Sequence, residues 1–477
     1  MTSEPQGSPR TIEELASAYR SGGTSPTAVT KERLRRIEAF NGTLNCFITI
    51  LADSALRSAE EADRRFKAGA PLGPLDGVPI AVKDLIYIEG VRCTAGSRVL
   101  ADYVAPYDAE VIRRLKASGA VLIGTTNLHE FAAGTTNVNP HFGPVRNPWD
   151  PRRMSGGSSG GSAVAVAERM AAGALGTDTG GSVRIPAALC GVLGLKPTYG
   201  RISRLGVIPL APSLDVVGVL AGSAWDMGAL MQVVAGRERE DMTTVETENP
   251  DYLAAISQPF PGARIGVIRG YFQDSIDSDV EENLSEFMSR LRGIGCRAEE
   301  VSPDWVSEAY DRWVPIRRAE ATAYHQRWLE TNPELYGDDV RRLLEQGRDV
   351  LAVDYVSAVN ARPSFMERFS VTMKDYDFLA LPTTTVPAPL LDQSSVKVKG
   401  REVPVYSAMN RLPIPFNYVG CPVLSVPSGH LRGLPLGVQI VGKLFDEAGL
   451  LRFARAIEAR FGPYPEPPPM GSLPPSA

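Results

Sequence analysis

Histidine and cysteine, the residues that most often bind metals or carry redox chemistry, are scarce in this sequence. It has four histidines and five cysteines among 477 residues. No histidine lies in an H-E-x-x-H spacing, and the cysteines are odd in number, scattered and never in C-x-x-C spacing. We therefore expect no metal site, no disulfide framework and a reducing, cytoplasmic environment.

Long hydrophobic runs and an excess of positive charge are also missing. No run of about 18 apolar residues occurs, and the opening MTSEPQGSPR has no apolar core, so we expect neither a membrane span nor a signal peptide. The formal net charge is −5. Without a positive field, the chain is not expected to bind nucleic acid or an anionic membrane surface.

Apolar side chains and loop-forming residues are plentiful. Hydrophobic residues make up 43% of the chain and charged residues 22%, values that are typical of globular proteins with a large core. The 45 glycines and 38 prolines predict many tight turns. Functional residues are concentrated on loops of this kind.

The order of the patterned segments predicts an α/β fold. A helix at 109–118 leads through Gly119 into a strand at 120–124, and the same alternation returns later in the chain. The later segments are strands at 264–268 and 378–381, a helix at 280–293, a strand pair at 422–427 and 434–442, and a closing helix at 449–461. Charged amphipathic sequence between 305 and 374 predicts a helical cap inserted between two halves of the sheet.

These patterns divide the chain into five parts of one large domain. The first part, 1–70, is a helical segment that begins with a capping box at Thr11 and Glu14. The others are the first half of the core (71–230), a variable helical or cap region (231–370), the second half of the core (371–462) and a proline-rich tail without regular structure (463–477).

Two glycine-rich serine turns that flank one helix are the most distinctive feature. They are Gly-Gly-Ser-Ser-Gly-Gly-Ser at 156–162 and Gly-Thr-Asp-Thr-Gly-Gly-Ser-Val-Arg-Ile-Pro at 176–186. Such sequence in isolation is typical of a flexible linker, but a linker would not continue into an apolar helix and then repeat a Gly-Gly-Ser turn. Several backbone N–H groups of the second turn can point at one spot, as an oxyanion hole requires, and Ser182 can attack a carbonyl there.

Two other motifs compete for the first turn. Residues 156–160 satisfy G-x-S-x-G, the nucleophile elbow of α/β-hydrolases, but the elbow follows an apolar strand, whereas residues 147–153 are polar and contain two prolines. A phosphate-binding P-loop requires a lysine that is absent here. Neither motif explains the two turns together.

The two turns resemble those of the amidase signature family of serine hydrolases. The resemblance also rests on Gly-Val-Pro-Ile-Ala-Val-Lys-Asp at 77–84, which is typical of a short buried strand ending in charged residues. Supporting segments lie at 126–131, 194–200, 212–215 and 433–439. The resemblance implies a single large amidase-signature domain, with a central mixed β-sheet covered by helices on both faces, and no cofactor.

The resemblance further implies a Ser-cisSer-Lys triad. Carried over by position, Lys83 is the base, Ser158 is a relay that follows a cis Gly157–Ser158 peptide bond, and Ser182 is the nucleophile that becomes acylated. The register selects Ser158 over Ser159, because the two triad serines are then 24 residues apart, as in the family (182 − 158 = 24). An ordinary lysine is almost fully charged at pH 7, so burial must lower the pKa of Lys83.

The residues around Ser182 receive supporting roles in the same way. The backbone amides of Thr179, Gly180 and Gly181 are the expected oxyanion hole. Phe131 and Gly134 are expected to line the acyl site.

Four further side chains are placed near the site. Asp178 and Arg184 are expected to pair and hold the two serine turns, and Ser159 is expected to support them. His129 lies in no Ser-His register, and we interpret it as a structural histidine.

Three functions follow from these expectations. The leading hypothesis is a stand-alone hydrolase that cleaves a small-molecule carboxylic amide through acyl-Ser182, with carbamate (urethane), urea and ester substrates open as variants and a homodimer open as its assembly. The alternative is the glutaminase subunit of a tRNA-dependent amidotransferase, because the 194–215 segments resemble that subfamily too. Against it, Asn410 stands where that subfamily carries an aspartate for the glutamine amino group. The third, a non-catalytic binding module, predicts a broken triad, whereas all three positions are intact.

Overall fold

The computed structural model of the chain describes residues 9–270 and 275–469. Its strands are β1 (Phe47–Ile50), β2 (Pro79–Lys83), β3 (Val121–Thr126), β4 (Gly173–Asp178), β5 (Leu193–Lys196), β6 (Val216–Ala221), β7 (Ala263–Ile268), β8 (Cys296–Val301), β9 (Phe378–Pro382), β10 (Ser395–Val398), β11 (Arg401–Pro404), β12 (Val423–Leu431) and β13 (Leu434–Val441).

Its α-helices alternate with these strands along much of the chain. They are α1 (Ile12–Ser21), α2 (Pro26–Leu44), α3 (Ala52–Lys67), α4 (Glu110–Ala117), α5 (Gly160–Ala167), α6 (Arg184–Cys190), α7 (Ala224–Val234), α8 (Tyr252–Ile256), α9 (Ser278–Leu291), α10 (Trp305–Thr331), α11 (Asp338–Gly347), α12 (Ala352–Thr372), α13 (Val405–Asn410), α14 (Ile414–Val419) and α15 (Glu447–Phe461).

One mixed sheet forms the centre of the molecule. Its strand order is β1-β3-β2-β4-β6-β5-β12-β13-β9-β7-β8, and β10 and β11 form a separate hairpin. β2 runs parallel to β3 and β4, and β7 runs parallel to β8 and β9. From β4 to β9 the intervening strands pair antiparallel. The predicted α/β fold with a central mixed sheet is confirmed.

Helices cover both faces of this sheet. Successive residues of a strand point to opposite faces. Ile80 and Val82 of β2 pack in the hydrophobic cluster that contains α7, whereas Ala81 between them packs in the cluster that contains α5. Every residue of β2, β3 and β4 is buried, as is typical of strands that are covered on both sides.

The two halves of the core meet inside the sheet. β12, from the second half, pairs with β5 from the first half, and β13 then pairs with β9. The three long helices between them, α10, α11 and α12, pack on one another, and α10 also packs against α14. The 231–370 region supplies β7 and β8 as well, so it adds an edge to the sheet in addition to helices.

Both ends of the described chain pack on the core. The predicted capping box is present, since Thr11 Oγ1 accepts from the Glu14 amide and the Glu14 carboxylate accepts from the Thr11 amide. Residues 463–469 have no helix or strand, and Glu466 forms ion pairs with Arg10 and Arg169. The rest of the predicted tail lies outside the described residues. Within the described ranges, no helix combines the length and apolarity that crossing a membrane requires.

Candidate active site

Two neighbouring parallel strands bring Lys83 and the second serine turn to one edge of the sheet. Val82 of β2 lies opposite Leu175 of β4, so both strands end at the same edge. Lys83 is the last residue of β2, and Thr177 and Asp178 are the last two residues of β4. In open α/β sheets, ligands bind outside such carboxyl ends of strands.

Lys83 is completely buried among three hydroxyl groups. Its Nζ lies 2.7 Å from Ser158 Oγ, 2.9 Å from Ser159 Oγ and 2.9 Å from Thr177 Oγ1. Burial lowers the pKa of Lys83 to about 7, although the negative charge of Asp178 acts in the opposite direction. Charged and neutral forms of the amine are therefore comparably populated near neutral pH.

The first serine turn is held against Lys83 by close packing. The Gly157–Ser158 peptide bond is cis. A Cβ at Gly157 would lie 2.9 Å from the Asn137 backbone nitrogen, so only glycine fits there. Ser159 Oγ donates to the Thr177 carbonyl at 3.1 Å and accepts from the Thr177 amide at 3.2 Å. Ser159 thus joins the first turn to β4, while Ser158 Oγ faces the lysine.

Ser182 lies at the end of the turn between β4 and α6. It is 5% exposed, and its carbonyl accepts from the Ser159 amide at 3.1 Å, which connects the two serine turns directly. Gly181 before it has φ 110°, and a Cβ there would lie 2.8 Å from both Ile185 and Pro413. The tight backbone around Ser182 therefore depends on glycine.

The three expected oxyanion donors differ in their surroundings. Thr179 and Gly180 line the cavity in front of Ser182, whereas the Gly181 amide donates to Asp178 Oδ1 at 2.8 Å. Thr179 is fixed on both sides, because its Oγ1 donates to Asp215 Oδ1 at 2.6 Å and its carbonyl accepts from Trp313 Nε1 at 2.9 Å.

A fully buried ion pair holds the second turn. Arg184 donates to both carboxylate oxygens of Asp178, at 3.0 and 2.9 Å, and also to Asn417 and Gln439. Burial acts to raise the pKa of Asp178, but the Arg184 guanidinium and the Asn417 amide outweigh it and hold that pKa below its usual range. The expected pairing of Asp178 with Arg184 is present, and it ties the turn to α14 and β13.

The two turns border a cavity of about 240 Å³. From the second turn, Thr179, Gly180 and Ser182 line it. The other lining residues come from distant parts of the chain, and they are Ala132, Ala133, Gly134, Thr135, Leu210, Trp313, Arg317, Tyr406 and Asn410.

The structure separates the two expected pocket residues. Gly134 lines the cavity, and a Cβ on it would collide with the His129 ring. Phe131 is not brought to the cavity wall, because its ring packs 4.2 Å from the ring of His325 in the core. His129 hydrogen-bonds to Asp339 at 2.9 Å, a satisfied histidine as interpreted from the sequence.

Sequence reasoning misses several residues of the site. Thr177 and Asp215 bond directly to Lys83 and Thr179, and Trp313, Arg317 and Tyr406 line the cavity. The last three lie on α10 and α13, and no local motif marks them, because their positions are set by the packing of helices that are far apart in the chain.

Known proteins are similar to this chain in sequence and in fold. The family model for amidases matches residues 28–451. The chain belongs to the amidase family. The predicted family resemblance is thereby confirmed, and the protein is an amidase-family enzyme acting on carbon–nitrogen bonds.

Similar proteins have different stated roles. This amidase is 39% identical to a glutamyl-tRNA(Gln) amidotransferase subunit of Halorhodospira halophila over 467 residues, 93% of this chain and 95% of the relative. The solved structure of the same kind of subunit from Thermotoga maritima has a TM-score of 0.80 at 32% identity, covering 96% and 97% of the two chains. A structure reported for an s-triazine catabolic enzyme and its vestigial protein complex has a TM-score of 0.91 at 34% identity, covering 94% and 98%.

Proposed function

We propose that this amidase hydrolyses a carboxylic amide through an acyl-Ser182 intermediate. The observation that carries the proposal is the contact of 2.7 Å between the buried Lys83 Nζ and Ser158 Oγ, beside the turn that presents Ser182. With a pKa of about 7, Lys83 is neutral often enough at physiological pH to accept a proton. A base with that pKa next to a serine relay suits nucleophilic catalysis.

In the first half-reaction, Ser182 Oγ attacks the amide carbonyl carbon and forms a C–O bond. The Ser182 proton moves to Ser158 Oγ, while Ser158 passes its own proton to Lys83 Nζ. The carbonyl oxygen becomes an oxyanion that accepts hydrogen bonds from the backbone amides around Thr179 and Gly180. The C–N bond then breaks, and the proton on Lys83 returns through Ser158 to the leaving nitrogen.

In the second half-reaction, water takes the place of the amine. Its oxygen attacks the acyl carbon, and its proton passes through Ser158 to Lys83. The bond to Ser182 Oγ breaks, and the proton returns to that oxygen. The sum is amide plus water giving carboxylic acid plus amine or ammonia. A carbamate or ester follows the same steps, so both stay variants of the proposal.

The relatives favour a narrower candidate, the glutaminase subunit of a tRNA-dependent amidotransferase. Relatives from several bacteria, at 35–40% identity, bear the name of a glutamyl-tRNA(Gln) amidotransferase subunit. In this role glutamine is the amide, and partner subunits and tRNA are required, which departs from the sequence-based expectation of no nucleic-acid partner. Asn410, at the position where that subfamily is expected to carry aspartate, is the residue that disfavours it.

Ammonia release tests both candidates. The purified chain is assayed with L-glutamine and with simple primary amides, alongside Ser182→Ala, Lys83→Ala and Ser158→Ala. Ser162→Ala is the matched control, because Ser162 lies in the same turn but bonds to Thr126 and to the Leu175 carbonyl instead of Lys83.

Loss of turnover in the three triad variants but not in Ser162→Ala is the expected result. Undiminished turnover by Ser182→Ala contradicts the mechanism. Hydrolysis of simple amides without any activity on glutamine removes the amidotransferase candidate, and activity on glutamine alone supports it.

A further inference from the structure

A cation in the catalytic cavity lacks an anionic partner. Arg317 lies on α10, is 6% exposed and lines the same cavity as Ser182. Across residues 9–270 and 275–469, no carboxylate forms an ion pair with Arg317, and its Nε has no hydrogen-bond partner. A guanidinium remains charged at any physiological pH, so this charge is carried into the cavity wall.

Other buried arginines of the described chain show how unusual this is. Arg184 is paired with Asp178, and Arg201 is paired with Glu447, each with both partners almost fully buried. Buried charges in proteins are normally paired in this way, because an unpaired charge loses its hydration without compensation. Arg317 therefore has an unmet requirement that a bound anion can satisfy.

Aromatic rings hold the Arg317 guanidinium in place. Its Cζ lies 5.1 Å from the centre of the Trp313 ring and 5.7 Å from that of Tyr406. Contact with ring faces stabilises the cation while leaving the N–H groups at its edge free to donate. Trp313 is itself bonded to the Thr179 carbonyl, so the group that holds Arg317 is attached to the turn before Ser182.

An unpartnered acceptor lines the same cavity. Asn410 is 1% exposed, and its Oδ1 has no hydrogen-bond partner among the described residues. It lies one turn after Tyr406 on α13, so the helix that supplies a ring to Arg317 also supplies this oxygen. A free donor set and a free acceptor in one cavity suit a ligand that carries both an anion and an N–H group.

We propose that the amide substrate carries a carboxylate, which Arg317 binds through two parallel N–H donors while Ser182 attacks the amide of the same molecule. The class is the half-amides of short dicarboxylic acids, including amino acids with a side-chain amide, whose N–H group faces Asn410. The cavity of about 240 Å³ suits a compact molecule of this kind. This inference rests on the proposed function, because it places the carboxylate relative to acylation at Ser182.

Matched substrates test the carboxylate. Succinamate and glutaramate are compared with butyramide and valeramide, which have chains of the same length but end in a methyl group. The variants are Arg317→Gln and Arg317→Lys. Arg318→Gln is the control, because it removes the same charge from the next residue of α10, which lines a different groove.

A preference of the parent enzyme for the acidic amides, by about 10- to 100-fold in kcat/KM, is the expected result for hydrogen bonds to a charged group. Arg317→Gln loses that preference mainly through KM, Arg317→Lys retains part of it, and Arg318→Gln retains it fully. Equal turnover of the two substrate types, or equal losses on both in Arg317→Gln, overturns the inference.

A binding assay separates failure of this inference from failure of the proposed function. Labelling of Ser182 by a fluorophosphonate is followed in the presence of each amide, in the parent enzyme and in Arg317→Gln. We expect succinamate or glutaramate to slow labelling of the parent enzyme and not of the variant. Labelling without any protection by the acidic amides overturns the carboxylate site alone, whereas absence of labelling at Ser182 contradicts the proposed function itself.

Discussion

At the scale of single residues, the pKa of Lys83 decides whether the proposed mechanism can operate. A lysine with the ordinary pKa near 10.4 is neutral in only about one molecule in 2,500 at pH 7, a handicap of about 4.6 kcal/mol. Complete burial lowers the pKa of Lys83 to about 7. Desolvation by the strands around it thus removes most of the handicap before any substrate binds.

This lowered pKa predicts a rate that increases with pH. Below about pH 7 the protonated amine dominates and cannot accept a proton, so the rate of Ser182 labelling by a fluorophosphonate should increase about tenfold per pH unit there and level off above about pH 8. Labelling is followed by mass spectrometry from pH 5 to 9.

Another buried lysine provides the control for that profile. Burial lowers the pKa of Lys196 to about 8, but Lys196 Nζ donates to the Pro197 carbonyl, away from the serines. Lys196→Met should leave the midpoint of the profile in place. A flat profile in the parent enzyme, or a midpoint that moves with Lys196, contradicts Lys83 as the base.

The two adjacent serines of the first turn should differ in their effect. Ser158→Ala removes the proposed relay, and we expect kcat to fall by about 10²- to 10⁴-fold, the usual contribution of general acid–base catalysis. Ser159→Ala removes hydrogen bonds to the Thr177 backbone, so its loss should be smaller and accompanied by lower stability. Steady-state kinetics and urea unfolding measure the two effects. A larger kinetic loss in Ser159→Ala would mean that Ser159 is the relay.

At the scale of secondary-structure elements, the Asp178–Arg184 pair connects β4, α6 and α14. Asp178→Asn leaves the Arg184 charge buried without an anion, and we expect a loss of about 3–5 kcal/mol in the free energy of unfolding. Because Arg184 holds the pKa of Asp178 below its usual range, this stabilisation is present above about pH 4 and is lost as pH falls further.

The exposed pair of Arg455 and Glu13 provides the comparison for that measurement. Its side chains are 39% and 43% exposed, so Arg455→Gln should cost less than about 1 kcal/mol. Urea unfolding at pH 7 measures both variants. If Asp178→Asn costs no more than Arg455→Gln, the buried pair does not hold the turn.

Elements with a strong local pattern follow from the sequence, and others do not. The apolar runs predict β2, β7 and β9, and the capping box predicts the start of α1. β4 has no such signal, because its sequence Gly-Ala-Leu-Gly-Thr-Asp contains two glycines and its extended form is fixed by pairing with β2 and β6. The strand that carries Asp178 is therefore a product of tertiary structure.

The same division applies to the site. Lys83, Ser158 and Ser182 follow from short motifs in the first half of the core, together with the family resemblance. Arg317 and Tyr406 lie on helices whose sequences carry no motif, and only the packing of α10 against the core brings them to Ser182. Residues that select a substrate are for this reason harder to predict from the sequence than residues that react.

At the scale of the whole molecule, the site depends on both halves of the core. Lys83, Ser158 and Ser182 come from the first half, whereas Asn417 and Gln439, which bond to Arg184, come from the second half. β12 joins the halves through its pairing with β5. A site built across the sheet in this way should not survive partial unfolding.

We therefore expect loss of the site and loss of the fold to coincide. In a urea titration, Ser182 labelling by a fluorophosphonate and the far-UV circular dichroism signal should have the same midpoint, as a single cooperative transition requires. The intensity of tryptophan fluorescence gives a third probe, since Trp313 is bonded to the Thr179 carbonyl. Labelling lost at clearly lower urea than the dichroism signal would mean that the site opens separately from the core.

Acylation of Ser182 with Lys83 as its base is the centre of the proposed mechanism, and locating the covalent adduct tests it most directly. The protein is treated with a fluorophosphonate, digested and analysed by peptide mass spectrometry, alongside Ser182→Ala, Lys83→Ala and Ser162→Ala. We predict one adduct, on Ser182, that is absent in Ser182→Ala, much slower to form in Lys83→Ala and unchanged in Ser162→Ala. An adduct on Ser158 or Ser159, or labelling of Lys83→Ala at the parental rate, would contradict the mechanism.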